Sequence, residues 1–141
     1  MIRKQMSDEE LQGYGFDEIV ENPYSTAEQL HMGSCDLFAL ALHEEFGYEM
    51  FRVDYQNSFH MFCRTEKDGK TIFIDASGMS ENVHDLQPGK HFNIEDAYSV
   101  ENVVFEDGWD EVGIRFARCF IHRFSEYYDV DELTQGIEIT D

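Results

Sequence analysis

The dipeptide Asp68-Gly69 separates two runs of strand-forming residues, SFHMFCRTE at 58–66 and KTIFIDAS at 70–77. Asp-Gly between alternating apolar runs is the strongest short-range hairpin signal, because both residues tolerate the positive φ that a tight turn demands. A two-residue loop pairs Lys67 with Lys70 and, counting outward, Phe62 with Asp75 and His60 with Ser77. Directly opposed residues share a face of the sheet, and so do alternate residues along one strand. His60 and Asp75 therefore fall on one face as diagonal neighbours, within reach of an imidazole–carboxylate hydrogen bond. Phe59, Met61, Ile72 and Ile74 fall on the opposite, apolar face. A loop one residue longer would put His60 and Asp75 on different faces, so the turn decides whether the pair exists.

Upstream, GSCDLFALALHEEFG at 33–47 sets Leu37, Phe38, Ala41, Leu42 and Glu45–Phe46 at helical spacing, with Gly47 as the stop. This predicts a helix from about Ser34 to Phe46 with Cys35 on its first turn. The macrodipole and free N–H groups of a helix start favour a thiolate there; a buried core cysteine is the competing role. MFRVDY at 50–55 adds a further strand, and 110–128 reads as a second long helix with Val112, Phe116, Cys119 and Phe120, and Arg123 and Phe124 along one side. Ser7 and Glu10 form a capping-box pattern that predicts a short helix over 7–12. NIEDAYSVEN at 93–102 predicts another, and 129–141 reads as an acidic tail that frays. Helix, strands, helix in this order predict an α+β fold: one domain over 1–141, with an antiparallel sheet against a core helix that carries the cysteine at its N-terminus.

Charge and cysteine content narrow the function. Thirty acidic against 10 basic residues give a net charge of −20 over 141 residues. That charge opposes a phosphate backbone, so no nucleic acid is expected as a partner. It suits solubility at high salt, attraction to a basic protein, or imitation of the charge of DNA. Three widely spaced cysteines, Cys35, Cys63 and Cys119, form neither a zinc pattern nor a complete disulfide framework. Cys63, alternating with Met61 on the core face, and Cys119, set among aromatics, are expected to be inert. His31 and Cys35 stand at i, i+4 without further ligands at metal spacing, so no metal and no cofactor are expected. The start of the chain lacks an apolar run and no window is apolar enough for a membrane span, which predicts a cytoplasmic protein with no membrane partner. Oligomeric state leaves no mark in the sequence.

Cys35, His60 and Asp75 together match the requirements of nucleophilic catalysis: a thiol, a base whose charge changes near neutrality, and a carboxylate that orients that base. The competing reading of His60 and Asp75 is a structural hydrogen bond between strands. Gly78, closing DASG, is expected to let a substrate backbone come close.

GSCDLFALAL, FHMFCR and DGKTIFIDASG, spanning about residues 29–78, resemble the papain-like cysteine peptidase and transglutaminase-like superfamily, in its small bacterial and phage-type members. These place a cysteine at a helix start, a histidine on a following strand and an aspartate or asparagine on the next. The resemblance implies a papain-like core and a thiol protease, deamidase or transglutaminase-like enzyme acting on a protein or peptide substrate, basic ones included. It implies Cys35 as nucleophile, His60 as general base, Asp75 as its orienter and Gln29 as side-chain donor of an oxyanion hole, with the backbone N–H of Cys35 as second donor. The alternative is a non-enzymatic acidic binding or inhibitor protein, a charge mimic on a degenerate papain-like fold. Asp36, where papain-like enzymes often carry tryptophan, sets a negative charge beside the thiol.

Overall fold

The computed structural model describes residues 3–5, 35–55, 58–86, 93–103 and 109–132. Six strands form one antiparallel sheet: β1 (Arg3–Gln5), β2 (Glu49–Tyr55), β3 (Ser58–Lys67), β4 (Lys70–Asp75), β5 (Gly78–Ser80) and β6 (Tyr98–Val100), in the order β1-β5-β4-β3-β2-β6. Two helices, α1 (Cys35–Phe46) and α2 (Trp109–Arg123), complete the main elements, so the fold is α+β. The predicted helix at 7–12 lies outside the described residues.

The hairpin forms as the turn chemistry dictates. Asp68 and Gly69 have φ of 54° and 78°, and β3 pairs with β4 from Lys67↔Lys70 to Cys63↔Ile74. The ladder ends there, one pair short of bringing Phe62 opposite Asp75. At Asp75 the chain turns back instead, and Asp75 pairs with Gly78 of β5.

Alternation along the strands divides the sheet into two faces. Met50, Met61, Cys63, Ile72, Ile74 and Met79 bury themselves against α1. On the other face Val53 and Phe62 pack with Val83 and Leu86, with Phe51, Phe73, Ile94 and Ala97 at the margin. α1 is sandwiched between the sheet and α2, which explains why its first half is buried nearly all round: Cys35, Leu37, Phe38, Ala39, Ala41 and Leu42. Only Glu44 and Glu45 in the last turn face water. Gly47 ends the helix at φ 77°, its N–H donating to the His43 carbonyl at 2.8 Å. α2 contributes Ile114, Phe116, Ala117, Phe120 and Ile121, a stripe of 3–4 spacing.

Three expectations are corrected. Residues 94–96 form a single 3₁₀ turn, after which β6 joins the sheet edge beside β2, so the segment at 93–102 is part strand. Cys119 lies exposed on the outer side of α2 rather than among the aromatics. Of the predicted tail at 129–141, the described part packs down: behind fully buried Tyr128, Val130 is buried, while residues 133–141 lie outside the described residues. Val130 N–H donates to Tyr48 Oη at 2.9 Å, Tyr48 Oη–H to the Tyr128 carbonyl at 2.9 Å, and Tyr128 Oη–H to the Ala76 carbonyl at 2.7 Å. The segment thereby ties the end of α2 to the turn that follows Asp75.

Candidate active site

A two-residue hairpin closes on a pair that exchanges both backbone hydrogen bonds, so alternate residues of β3 (67, 65 and 63) aim their amides at β4. Met61 is next in that series, but β4 has ended. Its N–H donates instead to Cys35 Sγ, at 3.4 Å. The first residue of α1 thus takes the place that a longer β4 would have filled, and the thiol meets the sheet at the gap between β3 and β4.

His60 and Asp75 bridge the same gap from the other face. His60 Nε2 lies 3.1 Å from Asp75 Oδ2, and both side chains are 2% exposed. The His60 ring stacks on Phe62, centroids 6.3 Å apart and planes 24° from parallel. Asp75 Oδ1 accepts from the backbone N–H of Ser77, at 2.9 Å, and from the Ser77 hydroxyl. The Asp75 pattern is an Asx turn, a short carboxylate bonding the amide two residues on. The structure brings His60 and Asp75 together, and it brings Cys35 to the peptide that joins His60 to Met61. The hydrogen bond to the sulfur runs from that peptide and not from the His60 ring. Gln29 lies outside the described residues, as do Gly33 and Ser34.

The electrostatics of the thiol differ from the sequence reading. Burial pushes Cys35 up from 9.0 to about 12, and the charges of Asp36 and Asp75 push it the same way; the Met61 N–H pulls it down by less. In this state the sulfur is a neutral thiol. A helix start does favour an anion, but Cys35 is only 8% exposed, and removal from water outweighs it. Asp36, whose carboxylate accepts from the Leu37 N–H at 2.9 Å, takes up one of the first-turn donors itself. Cys63, fully buried, is raised in the same way by burial, and its Sγ–H donates to the Ala39 carbonyl at 3.3 Å.

Gly78 is also reassigned. Its φ is 128°, and a Cβ there would stand 2.2 Å from the Lys4 carbonyl oxygen. The backbone that needs this close approach is β1, whose Gln5 pairs with Gly78. Ser77 was not predicted as a functional residue, although D-x-S is a legible Asx-turn signal. Gln5, whose Nε2 donates to Ser77 Oγ at 3.2 Å, had no signal at all. Among the described residues no three His, Cys, Asp or Glu side chains cluster as metal ligands. No helix among them is long and apolar enough to cross a membrane. A surface groove lined by Leu40, Glu44, Glu111, Ile114, Arg115 and Arg118 shares no residue with the Cys35–His60–Asp75 group. Comparison with protein-family models, curated proteins and solved structures returns no match.

Proposed function

We propose that the protein is a cysteine-dependent hydrolase or acyltransferase with a papain-like core, acting on an amide or thioester of a protein or peptide. The observation that carries this reading is the buried His60–Asp75 pair, 3.1 Å apart, spanning the gap in which Cys35 Sγ is seated. Two titratable side chains shielded from water cost stability unless they pair, and their position beside a helix-start thiol matches the needs of nucleophilic catalysis. Because the resting thiol is neutral, attack requires its proton to pass to His60 as the S–C bond forms. Asp75 steadies the resulting imidazolium. His60 then returns the proton to the departing amine or thiol, leaving an acyl group on Cys35, which water or an amine removes. Gln29 and the Cys35 N–H are the proposed oxyanion donors.

A substrate-like acylating probe, followed by residue-resolved mass spectrometry, tests this. Acyl transfer is expected on Cys35, to vanish in Cys35→Ala, and to fall sharply in His60→Ala. No acyl group on Cys35, or equal transfer in His60→Ala, overturns it. Gln29→Ala is expected to lower the rate by about 10²–10³-fold, the usual effect of losing one oxyanion donor.

A second reading is favoured by one observation, the sealing and upward shift of Cys35. It is the acidic binding protein, in which a net charge of −20 recruits a basic protein and the thiol serves packing. In that case Cys35 stays unacylated while a basic partner is retained with an affinity that falls with salt.

A further inference from the structure

The hydrogen bonds behind Asp75 have a direction, and it can be traced from the far end. Gln5 on β1 is held by two groups that each allow one role only. Arg3 Nε, which can only donate, lies 3.0 Å from Gln5 Oε1. The Asp85 carbonyl, which can only accept, lies 3.1 Å from Gln5 Nε2. The amide orientation is therefore fixed, and what Gln5 presents to Ser77 Oγ, 3.2 Å away, is an N–H. Ser77 Oγ must accept there. Its single proton is left for Asp75 Oδ1, which also takes the Ser77 N–H. With Oδ1 engaged by these two donors, Oδ2 faces His60 Nε2 as an acceptor.

We propose that Gln5 and Ser77 are positioning residues that hold the neutral His60 ring as the tautomer protonated at Nε2, leaving Nδ1 as the nitrogen that takes a proton. The relay runs Gln5 N–H to Ser77 Oγ, Ser77 O–H to Asp75 Oδ1, and Asp75 Oδ2 to the proton on His60 Nε2. It depends on β1 being seated on β5, which is why Gly78 can carry no side chain: the Gln5↔Gly78 pairing brings the Lys4 carbonyl against it. Arg3 and Asp85 lock the start of the relay through their own ion pair at 3.3 Å. The tautomer assignment stands on these contacts alone. Its consequence for Cys35 rests on the function proposed above.

The test reads the tautomer directly from the ¹⁵N shifts of the His60 ring nitrogens in ¹⁵N-histidine-labelled full-length protein. The wild type is expected to show the Nε2–H form alone. Ser77→Ala removes the second donor to Oδ1, and Gln5→Glu supplies a competing acceptor for the Ser77 proton; each should move the shifts toward a mixture of tautomers. Ser77→Thr, which keeps the hydroxyl, should restore the wild-type shifts, and Gln5→Met should change them least. Acyl transfer to Cys35 should fall about tenfold in Ser77→Ala and Gln5→Glu, the scale of one charge-assisted hydrogen bond. Unchanged His60 shifts in Gln5→Glu overturn the relay, and that variant decides the matter even where Ser77→Ala does not fold. If the shifts follow the relay while wild-type Cys35 takes no acyl group, the relay stands and the catalytic reading falls. If wild-type Cys35 is acylated and Ser77→Ala matches it in rate and in shifts, the relay falls and the catalytic reading stands.

Discussion

The two faces of the sheet are built on different principles. The face toward α1 is an apolar seam of methionine, isoleucine and aromatic side chains, closed by two helices and by Tyr128, whose ring meets Phe38 at 5.1 Å and Phe120 at 6.1 Å. The other face has a small apolar cluster of four buried residues, covered by short 3₁₀ turns rather than a helix. Beside that cluster lie four buried polar side chains: His60, Asp75, Ser77 and Ser80. Burial on the first face is mostly of apolar surface, with the Tyr48 and Tyr128 hydroxyls hydrogen-bonded. On the second, each polar group removed from water requires a partner, and the structure supplies them in a chain: Gln5, Ser77, Asp75, His60, with Ser80 bonded to Asp85 at 2.6 Å. The difference separates a face that holds the fold from one whose polar arrangement is hard to justify by stability alone.

Cys35 belongs to the apolar seam, its sulfur at the end of β4, and the largest expected effect concerns it. A shift from 9.0 to about 12 leaves roughly a thousandfold less thiolate at neutral pH. Native-state iodoacetamide treatment should label exposed Cys119 well ahead of Cys35, with the Cys35 rate still rising as pH approaches 12. This reverses the order expected from the helix start alone. Rapid Cys35 labelling at pH 7 would show that the thiol belongs to the polar side of the comparison. Linkage has the same sign: above the ordinary thiol value the unfolded chain releases a proton that folded Cys35 keeps, so folding stability should fall between pH 9 and about 12.

Next in size is Asp75→Ala. It removes the carboxylate that bonds buried His60 and both donors of Ser77, and should cost about 3–5 kcal/mol in urea unfolding, as removing one half of a buried pair does. A loss under 1 kcal/mol would mean that water reaches this face. Gly78→Ala tests the link between β1 and the polar chain. Its Cβ would strike backbone at a φ that side chains avoid, and about 1–3 kcal/mol should be lost as β1 lifts. Hydrogen exchange should show Arg3–Gln5 opening before β3, and uniform loss of protection would break the idea that β1 is a separate clasp. Tyr128→Phe is the mildest. It leaves the ring in the apolar seam but orphans the buried Ala76 carbonyl, for about 1–2 kcal/mol by thermal or chemical melting.

Local signals carried far in this chain where neighbours in sequence decide the outcome. Asp68-Gly69 set the β3–β4 register, and that register put His60 and Asp75 on one face. Helical spacing and Gly47 set α1 from Cys35 to Phe46. Strands of three residues, β1, β5 and β6, had no readable pattern, because three residues show neither period nor propensity and exist only through pairing with distant partners. Cys119 was misplaced for a related reason. On a helix packed against another helix, which of two adjacent residues faces inward depends on the partner, and Phe120 took the inner position.

The sequence by itself determined the hairpin, the cysteine helix, the α+β class and the pairing of His60 with Asp75, all consequences of backbone periods and turn chemistry acting over a few residues. Only the tertiary structure decided the state of the thiol and the direction of the polar chain. Burial of Cys35 in the core and the end of β4 one pair short of Phe62, which leaves the Met61 N–H to the sulfur, set its environment. Gln5 reaches Ser77 across 72 positions of chain. Solvation and long-range hydrogen bonds depend on what is folded on top of a residue, which no local pattern contains.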